Sequence, residues 1–412
     1  MSKVLKRGQT LAGLDIGTTK VTCTIGTIGD DGLHIIGVGH APNTGMRQGV
    51  VVNIEAVSEA IQKAKDEAEL MAGVSMPAVW LAVGGSHIKS FDSQGMVAIR
   101  NKEVTNEDIE RVIEAAKAVR IANDRQVLHV LPKEFKVDSQ EGINDPIGMS
   151  GVRLECSVHI VTGSNSAIQN AIRCAEKAGL SVAGLVLQQF ASALAVLSAD
   201  ERNLGVTVVD MGGGTCDLIT FTQGSVVYTN VLPVGGNNFT HDVAMGLRTT
   251  QTNADILKKK FGCALPDMVN EEESMEVESV GGRQSRTISR KDLCEVLEAR
   301  AEETLKLIKE DLESNGLMKQ MGSGVVLTGG ASQLQGLVEM GDFVFDVPVR
   351  RGIPERTGGL TDVVNSPMYS TCVGLMKYGM SRQKEAKATM ATKASMGSWV
   401  SQWANKIKDL FG

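Results

Sequence analysis

The sequence predicts an α/β protein built from two related halves that face each other across a cleft. Three observations predict it. First, two segments about 190 residues apart share one pattern: LAGLDIGTTKVTCTIGTIGDDGLHIIGVGHAP from Leu11 and LGVTVVDMGGGTCDLITFTQGSVVYTNVLPVGG from Leu204. Each reads as an apolar strand, an Asp-x-Gly turn with Thr, an alternating strand, a Gly-containing turn and a third strand. Second, helical periodicity follows the strands in both halves. Third, 412 residues exceed one compact core and suggest two to four subdomains.

The helices are placed by their apolar stripes. Residues 55–71 carry Val57, Ala60, Ile61, Ala64 and Ala68 on one face. Residues 107–119 carry Ile109, Val112, Ile113, Ala116 and Val119, after Thr105 as N-cap with Asp108 three positions on. Residues 290–313 carry Leu293, Val296, Leu297, Ala301, Leu305, Ile308 and Leu312, after Ser289 as N-cap. Residues 267–290 are acidic, then basic, and rich in Gly and Ser, which reads as a surface hairpin or loop. Residues 381–397 have no large apolar residue except Met and read as a flexible linker.

Composition excludes several classes. A net charge of −6 argues against nucleic-acid binding, which needs a basic surface. Seven Cys with no C-x-x-C pair argue against a disulfide framework or zinc site and for a reducing cytosol. The N-terminus is basic without an apolar core, so no signal peptide is expected. No apolar run approaches 18 residues, so membrane contact is expected to be peripheral.

Three Gly-rich turns form a phosphate-binding constellation. In Asp15-Ile-Gly-Thr-Thr-Lys20, Gly17 permits a tight turn whose N–H groups can face an anion; Thr18 and Thr19 add hydroxyls and Lys20 a charge. In Asp210-Met-Gly-Gly-Gly-Thr-Cys-Asp217, Gly212, Gly213 and Gly214 let a ligand approach bare backbone, with Thr215 beside them. In Thr328-Gly-Gly-Ala-Ser332, between an apolar strand and a helix, Gly329, Gly330 and Ala331 would let an adenosine lie close to the chain. Asp15 and Asp210 occupy equivalent places in the two halves. Two carboxylates facing one polyphosphate repel it unless a divalent cation intervenes, and Mg²⁺ that keeps its waters fits that role. ATP with Mg²⁺ is the expected cofactor. No Walker A motif is present.

These motifs resemble the actin, Hsp70 and sugar-kinase superfamily: DIGTTK its first phosphate loop, DMGGGTCD its second, LTGGAS its adenosine motif. RVLHVLPKEFKVDSQEGINDPIGMSGVRLE, SVGGRQSR and GSWVSQWANKIKDLF narrow the resemblance to the FtsA family of bacterial cell-division proteins, over essentially the whole chain. It implies an actin-like fold, with duplicated ribonuclease-H-like halves around a nucleotide cleft. A family-specific inserted subdomain (1C, 84–162) would replace the usual small subdomain of the first half. Core subdomain 1A would comprise 8–83, 163–196 and 364–380; core 2A, 197–234 and 311–363; small subdomain 2B, 235–310.

The resemblance also implies roles. Gly235, Gly236 and Asn237 match a turn at the cleft floor, and Asp255 and Lys258 match positions contacting ribose and adenine. The chain departs from the superfamily at LVLQQFASALAVL, where a carboxylate or amide often positions the attacking water: Gln188 is the candidate, Gln189 competes for the register and no better general base is visible, so hydrolysis is expected to be slow at most. The family implies protofilaments of the chain with itself. It also implies binding of the C-terminal tail of the tubulin-like ring protein FtsZ, and recruitment of later division proteins through subdomain 1C. Arg300 and Glu303, surface-facing by the stripe of 290–313, are the candidates for the FtsZ tail; Arg286 is the candidate for self-interaction.

The C-terminus reads GSWVSQWANKIKDLFG. Trp399, Trp403, Ile407, Leu410 and Phe411 make one apolar stripe, flanked by Lys406 and Lys408. A helix of about 14 residues is about 21 Å long, too short to span a bilayer, and suits the interface of an anionic membrane. Residues 381–412 carry six Lys or Arg against two acids, opposite to the chain as a whole. The expected site of action is the cytoplasmic face of the inner membrane at the division septum. Three rival readings fit the sequence less well. A sugar-type kinase would need a catalytic Asp and a substrate pocket, and 84–162 shows no obvious one. An Hsp70-like chaperone would need a large β-rich domain after the core. A pilus-type actin homologue would lack the Trp-rich tail.

Overall fold

The two duplicated segments fold into two sheets of one design. The computed structural model describes residues 10–279, 284–355 and 357–393. In the first sheet, Thr10–Ile16, Lys20–Gly29 and Gly32–Pro42 form an antiparallel meander. Val79–Val83 and then Val182–Leu187 extend it in parallel beyond the first strand. In the second, Val206–Met211, Cys216–Thr222 and Ser225–Leu232 repeat the meander, and Val325–Thr328 and Val349–Arg351 repeat the parallel extension. The registers correspond: Asp15 lies opposite Thr22, and Asp210 opposite Asp217. Central strands buried on both faces, such as Val206–Met211, explain why the first strand of each half is almost continuously apolar.

Helix Ile54–Ala72 buries Val57, Ala60, Ile61, Ala64 and Ala68, the expected stripe, against the first sheet. A Cβ at Gly39 would sit 2.0 Å from the Ala64 carbonyl oxygen, so glycine there sets the close approach of helix to strand. Helices Gln188–Val196 and Ser370–Lys393 cover the opposite face. In the second half, helices Gly236–Gly246, Gln251–Phe261, Arg290–Ser314 and Leu337–Phe345 share one apolar core with the sheet. Ser289 caps Arg290–Ser314 as expected, accepting from the Lys291 N–H at 3.1 Å. Within 267–290, Ser274–Val277 pairs antiparallel with Arg286–Ser289, the expected hairpin.

Between the halves of the first sheet's chain lies a separate four-stranded antiparallel sheet. Its order is Lys89–Ala98, Arg153–Ser164, Arg125–Val137, Gln140–Ile143, with helix Asn106–Lys117 packed on it. Thr105 and Asp108 make the expected capping box. This helix stops at Lys117, so Val119, expected on its stripe, falls beyond it and is exposed.

One expectation is corrected at the C-terminal side. Residues 381–393, read as flexible linker, continue helix Ser370–Lys393. The segment SRQKEAKATMATK lacks Gly and Pro and is rich in strong helix formers, so polarity without a breaker extends an already nucleated helix. Residues 394–397 of the expected linker, and Trp399, Trp403, Lys406, Ile407, Lys408, Leu410 and Phe411, lie outside the described residues. Among those described, no helix is long and apolar enough to cross a membrane. All seven cysteines are buried and none is in a disulfide.

Candidate nucleotide site

The first turns of the two meanders meet across the cleft. Each is closed the same way: Gly17 N–H donates to the Lys20 carbonyl at 2.9 Å, and Gly212 N–H to the Thr215 carbonyl at 2.9 Å. A Cβ on Gly213 would lie 2.5 Å from Thr19 Cγ2, and one on Gly214 would lie 2.6 Å from Thr18 Oγ1. The two loops therefore pack backbone to side chain, which only glycine permits. The cleft between them is lined by Asp15, Gly17, Thr18, Thr19, Lys20, Gln188, Asp210, Gly212, Gly213, Gly214, Thr215, Gly329 and Gly330 among others.

Three carboxylates are buried here. Asp15, at the end of its strand, is 7% exposed and its Oδ1 has no hydrogen-bond partner. Burial pushes its pKa up to about 6; Lys20 counteracts this and Asp210 adds to it. Asp210 is also raised by burial, while hydrogen bonds favour its charge: Ser192 Oγ donates to Oδ2 at 2.6 Å and Thr371 Oγ1 at 3.2 Å. Asp217, fully buried, is pushed to about 7 by burial and by Asp210. Lys20 Nζ donates to the Met368 carbonyl at 2.7 Å and lies 4.8 Å from the centre of the Tyr369 ring. Burial lowers its pKa, against the pull of Asp15.

The adenosine motif differs in detail from the expectation. Strand Val325–Thr328 precedes it, but a 3₁₀ turn over Gly330–Gln333 follows, and the helix begins only at Leu337. Gly329 has φ +83° and a Cβ there would lie 2.3 Å from Asp210 Oδ1, whereas nothing lies within 4 Å of a Cβ on Gly330. That side is open to a ligand.

Gly235, Gly236 and Asn237 support the second loop from behind. Gly236 N–H donates to the Gly212 carbonyl at 2.9 Å and Asn237 N–H to the Gly213 carbonyl at 2.7 Å. Lys258 Nζ donates to the Gly236 carbonyl at 3.0 Å and to Thr240 Oγ1 at 2.6 Å, and pairs with Asp255 at 3.0 Å. Ala331 faces Gly236, whose Cβ would lie 3.4 Å from that of Ala331. Gly236, Lys258 and Ala331 thus cluster behind the second loop and, like Gly235, Asn237 and Asp255, are not among the residues that line the cleft. Gln188 faces the cleft, and a Cβ on Gly84 would lie 2.5 Å from its Oε1. Gln189 points into the core and is fully buried.

Sequence reasoning missed Ser192 and Thr371, which hold Asp210, and His87, which lines the cleft. Each is remote in sequence from the loops and carries no local signal. Asp217 was visible in the motif but was given no role. Outside the cleft, Arg300 was expected to face outward. It is instead half-buried and bridges Asp242 on a neighbouring helix to Glu303, because its stripe abuts helix Gly236–Gly246. Glu303 is exposed. Arg286 is exposed and its guanidinium donates to the Leu247 carbonyl.

The residues fit a nucleotide with a divalent cation. The orphaned Asp15 Oδ1, the bare backbone of Gly213 and Gly330, and paired carboxylates short of countercharge all call for a cation and an anion together. Among the described residues, no three His, Cys, Asp or Glu side chains converge on one metal position. A cation here would take most of its shell from water and phosphate.

Comparisons with known proteins agree with the fold. A family model described as "Cell division protein FtsA" matches residues 207–374, and one described as "SHS2 domain inserted in FTSA" matches 85–162. The cell division protein FtsA of Pseudomonas aeruginosa is 44% identical over 395 residues, covering 96% of this chain and 95% of that protein. That of Escherichia coli K12 is 42% identical, covering 96% and 97%. That of Bacillus subtilis is 38% identical, covering 91% and 84%. Among solved structures, the PilM–PilN type IV pilus biogenesis complex aligns with TM-score 0.63 at 16% identity, over 89% of this chain and 97% of that one. MreB5 of Spiroplasma citri bound to ADP aligns with TM-score 0.56 at 14% identity, over 92% and 98%. These likenesses establish an actin-like fold with an inserted SHS2 domain.

Proposed function

The chain belongs to the FtsA family of cell-division proteins, and from that membership we propose that it is an ATP-binding, polymerising adaptor that ties the FtsZ ring to the inner face of the cytoplasmic membrane at the septum. The observation that carries the nucleotide part is the pair Asp15 and Asp210, buried at the ends of two equivalent strands and facing one cleft. Solved MreB5 of Spiroplasma citri holds ADP or AMPPNP, which supports ATP here.

In this reading the amides of the two Gly-rich turns face the phosphates. Asp15 and Asp210 would hold Mg²⁺ through its waters, and the cation would supply charge neutralisation at the phosphates. Gly329, Gly330 and Ala331 flank the adenosine, and Lys258, set by Asp255 and Thr240, faces the ribose and base side. Gln188 orients water as a neutral amide. A carboxamide orients water but cannot take its proton, so turnover is slow at most. The tail 398–412 lies in the membrane interface, Glu303 with Arg300 receives the FtsZ tail, Arg286 sits at a contact between copies, and the inserted subdomain recruits later division proteins. A small-molecule kinase has no observation in its favour beyond the shared fold.

Co-sedimentation with anionic liposomes tests this, with and without ATP·Mg²⁺, comparing the full chain with one ending at Met396. Pelleting of the full chain alone, increased by ATP·Mg²⁺, is expected. If both chains remain soluble in every condition, the anchor reading fails.

A further inference from the structure

The duplication breaks at one functional position. Opposite Asp15 the first half carries Thr22; opposite Asp210 the second carries Asp217. A carboxylate with no exposed surface is costly unless it organises its surroundings. Asp217 Oδ2 accepts the Thr215 hydroxyl at 2.8 Å, and Thr215 lines the cleft. The backbone N–H of Gly85 also faces this carboxylate, while Oδ1 has no hydrogen-bond partner.

Gly85 is where the inserted subdomain begins. It has φ +103° and packs on Gly49, whose N–H donates to Thr18 Oγ1 at 3.2 Å. Gly84 abuts Gln188. The turn at Gly84–Gly85 therefore meets Asp217 and Gln188 directly and reaches the first phosphate loop through Gly49. Two residues on, His87 lines the cleft, and its carbonyl accepts from Arg125 at 2.9 Å. Arg125 also donates to the Thr162 hydroxyl at 3.0 Å and carbonyl at 2.9 Å, so one guanidinium joins the strands entering and leaving the insert.

The far side of the insert rests on the second half. His159, 3% exposed, bonds Asp92 at 2.7 Å through Nδ1 and Thr229 Oγ1 at 2.9 Å through Nε2. Ser90 Oγ donates to the Thr229 carbonyl at 2.9 Å. The insert thus spans both halves, with one end at the phosphates and the other on strand Ser225–Leu232.

We propose that Asp217 is a positioning residue that couples the occupant of the phosphate cleft, through Gly85, to the inserted subdomain and its His159–Thr229 contact with the second half. This rests on the nucleotide reading above. Ligand that draws Thr215 and Thr18 inward completes the Asp217–Gly85 contact and tightens the insert against Thr229. By reciprocity, loosening the Thr229 contact weakens nucleotide binding by the same factor.

Hydrogen–deuterium exchange of the full chain, with and without ATP·Mg²⁺ at saturation set by a parallel titration with a fluorescent ATP analogue, tests the coupling. In the wild type, nucleotide is expected to slow exchange about fivefold or more across 85–92 and 156–160. In Asp217→Ala and in Thr229→Val the slowing at 156–160 is expected to fall below about twofold at saturation. Thr229→Val keeps the strand's shape and decides the matter if Asp217→Ala does not fold. A merely structural role would raise exchange equally with and without nucleotide, which overturns the proposal. So does a wild type that binds nucleotide without any change in the insert, which leaves the cleft reading intact. A wild type that binds no nucleotide overturns both.

Discussion

Asp15 and Asp210 occupy equivalent registers, yet they are held differently: Asp210 Oδ2 accepts from Ser192 and Thr371, whereas Asp15 Oδ1 accepts from nothing. The asymmetry makes Asp210 the fixed side of the cleft and Asp15 the side that awaits a ligand. It also separates what each residue contributes to stability and to binding.

Asp15→Asn should stabilise the free protein and impair binding together. Holding a carboxylate whose pKa has risen from 3.8 to about 6 costs about 2–3 kcal/mol at pH 7.5. The amide removes most of that cost and the cation's anchor with it. Thermal melts should show a higher midpoint without ligand and a much smaller gain from ATP·Mg²⁺. An unchanged gain would mean that Asp15 does not face the cation.

The pH dependence follows from the direction of each shift. Asp15 and Asp217 have raised pKa values, about 6 and about 7. The stability they contribute is fully present below 3.8 and is lost as pH rises from there through about 6 for Asp15 and about 7 for Asp217. His129 works in the opposite sense. It is buried, its Nε2 accepts the Leu187 N–H at 2.9 Å, and burial lowers its pKa to about 4. Its contribution is intact above its ordinary 6.5 and is lost as pH falls toward 4. Between pH 4 and 6 two carboxylates therefore oppose one imidazole, so these three groups should lower free-protein stability as pH rises toward 7 and leave it level above, and Asp15→Asn should flatten the decline. ATP·Mg²⁺, which needs ionised carboxylates, should bind more weakly at pH 5.5 than at 8. Calorimetry in buffers of different ionisation enthalpy should show proton release on binding near pH 6.5.

Gly213→Ala tests the contact between the phosphate loops. The new methyl would meet Thr19 at 2.5 Å, so the loops must separate by about 1 Å. A loss of ATP affinity of tenfold or more is expected, with the circular dichroism spectrum unchanged. Affinity within twofold of wild type would show that the loops do not close on the ligand together.

Lys258→Ala tests the nucleoside side. Removing the ammonium frees the Gly236 carbonyl and Thr240, which it bridges, and should weaken ATP about five- to tenfold, or about 1–1.4 kcal/mol. Inorganic triphosphate should bind nearly as before, since Lys258 bonds Gly236, Thr240 and Asp255 and no residue of the phosphate turns themselves. Equal losses for both ligands would place Lys258 at the phosphates.

What could be read in order along the chain was what neighbouring residues settle among themselves. Alternating strands, the 3.6-residue stripe of Ile54–Ala72, the caps at Thr105 and Ser289, and the two Asp-x-Gly turns are short-range patterns. Their repetition at Leu11 and Leu204 was enough to imply the duplicated sheets. The partners of those patterns were beyond such reading. Ser192 and Thr371 reach Asp210 from 18 and 161 residues away, and Arg300 turns inward to Asp242 across 58. Helix Ser370–Lys393 outran its apolar stripe because its start is packed against the first sheet and nothing in the following sequence stops it. Polar side chains carry no periodic mark of what they bond. Their partners are chosen when distant strands and helices come to rest together, and burial then gives each of those choices its energetic weight.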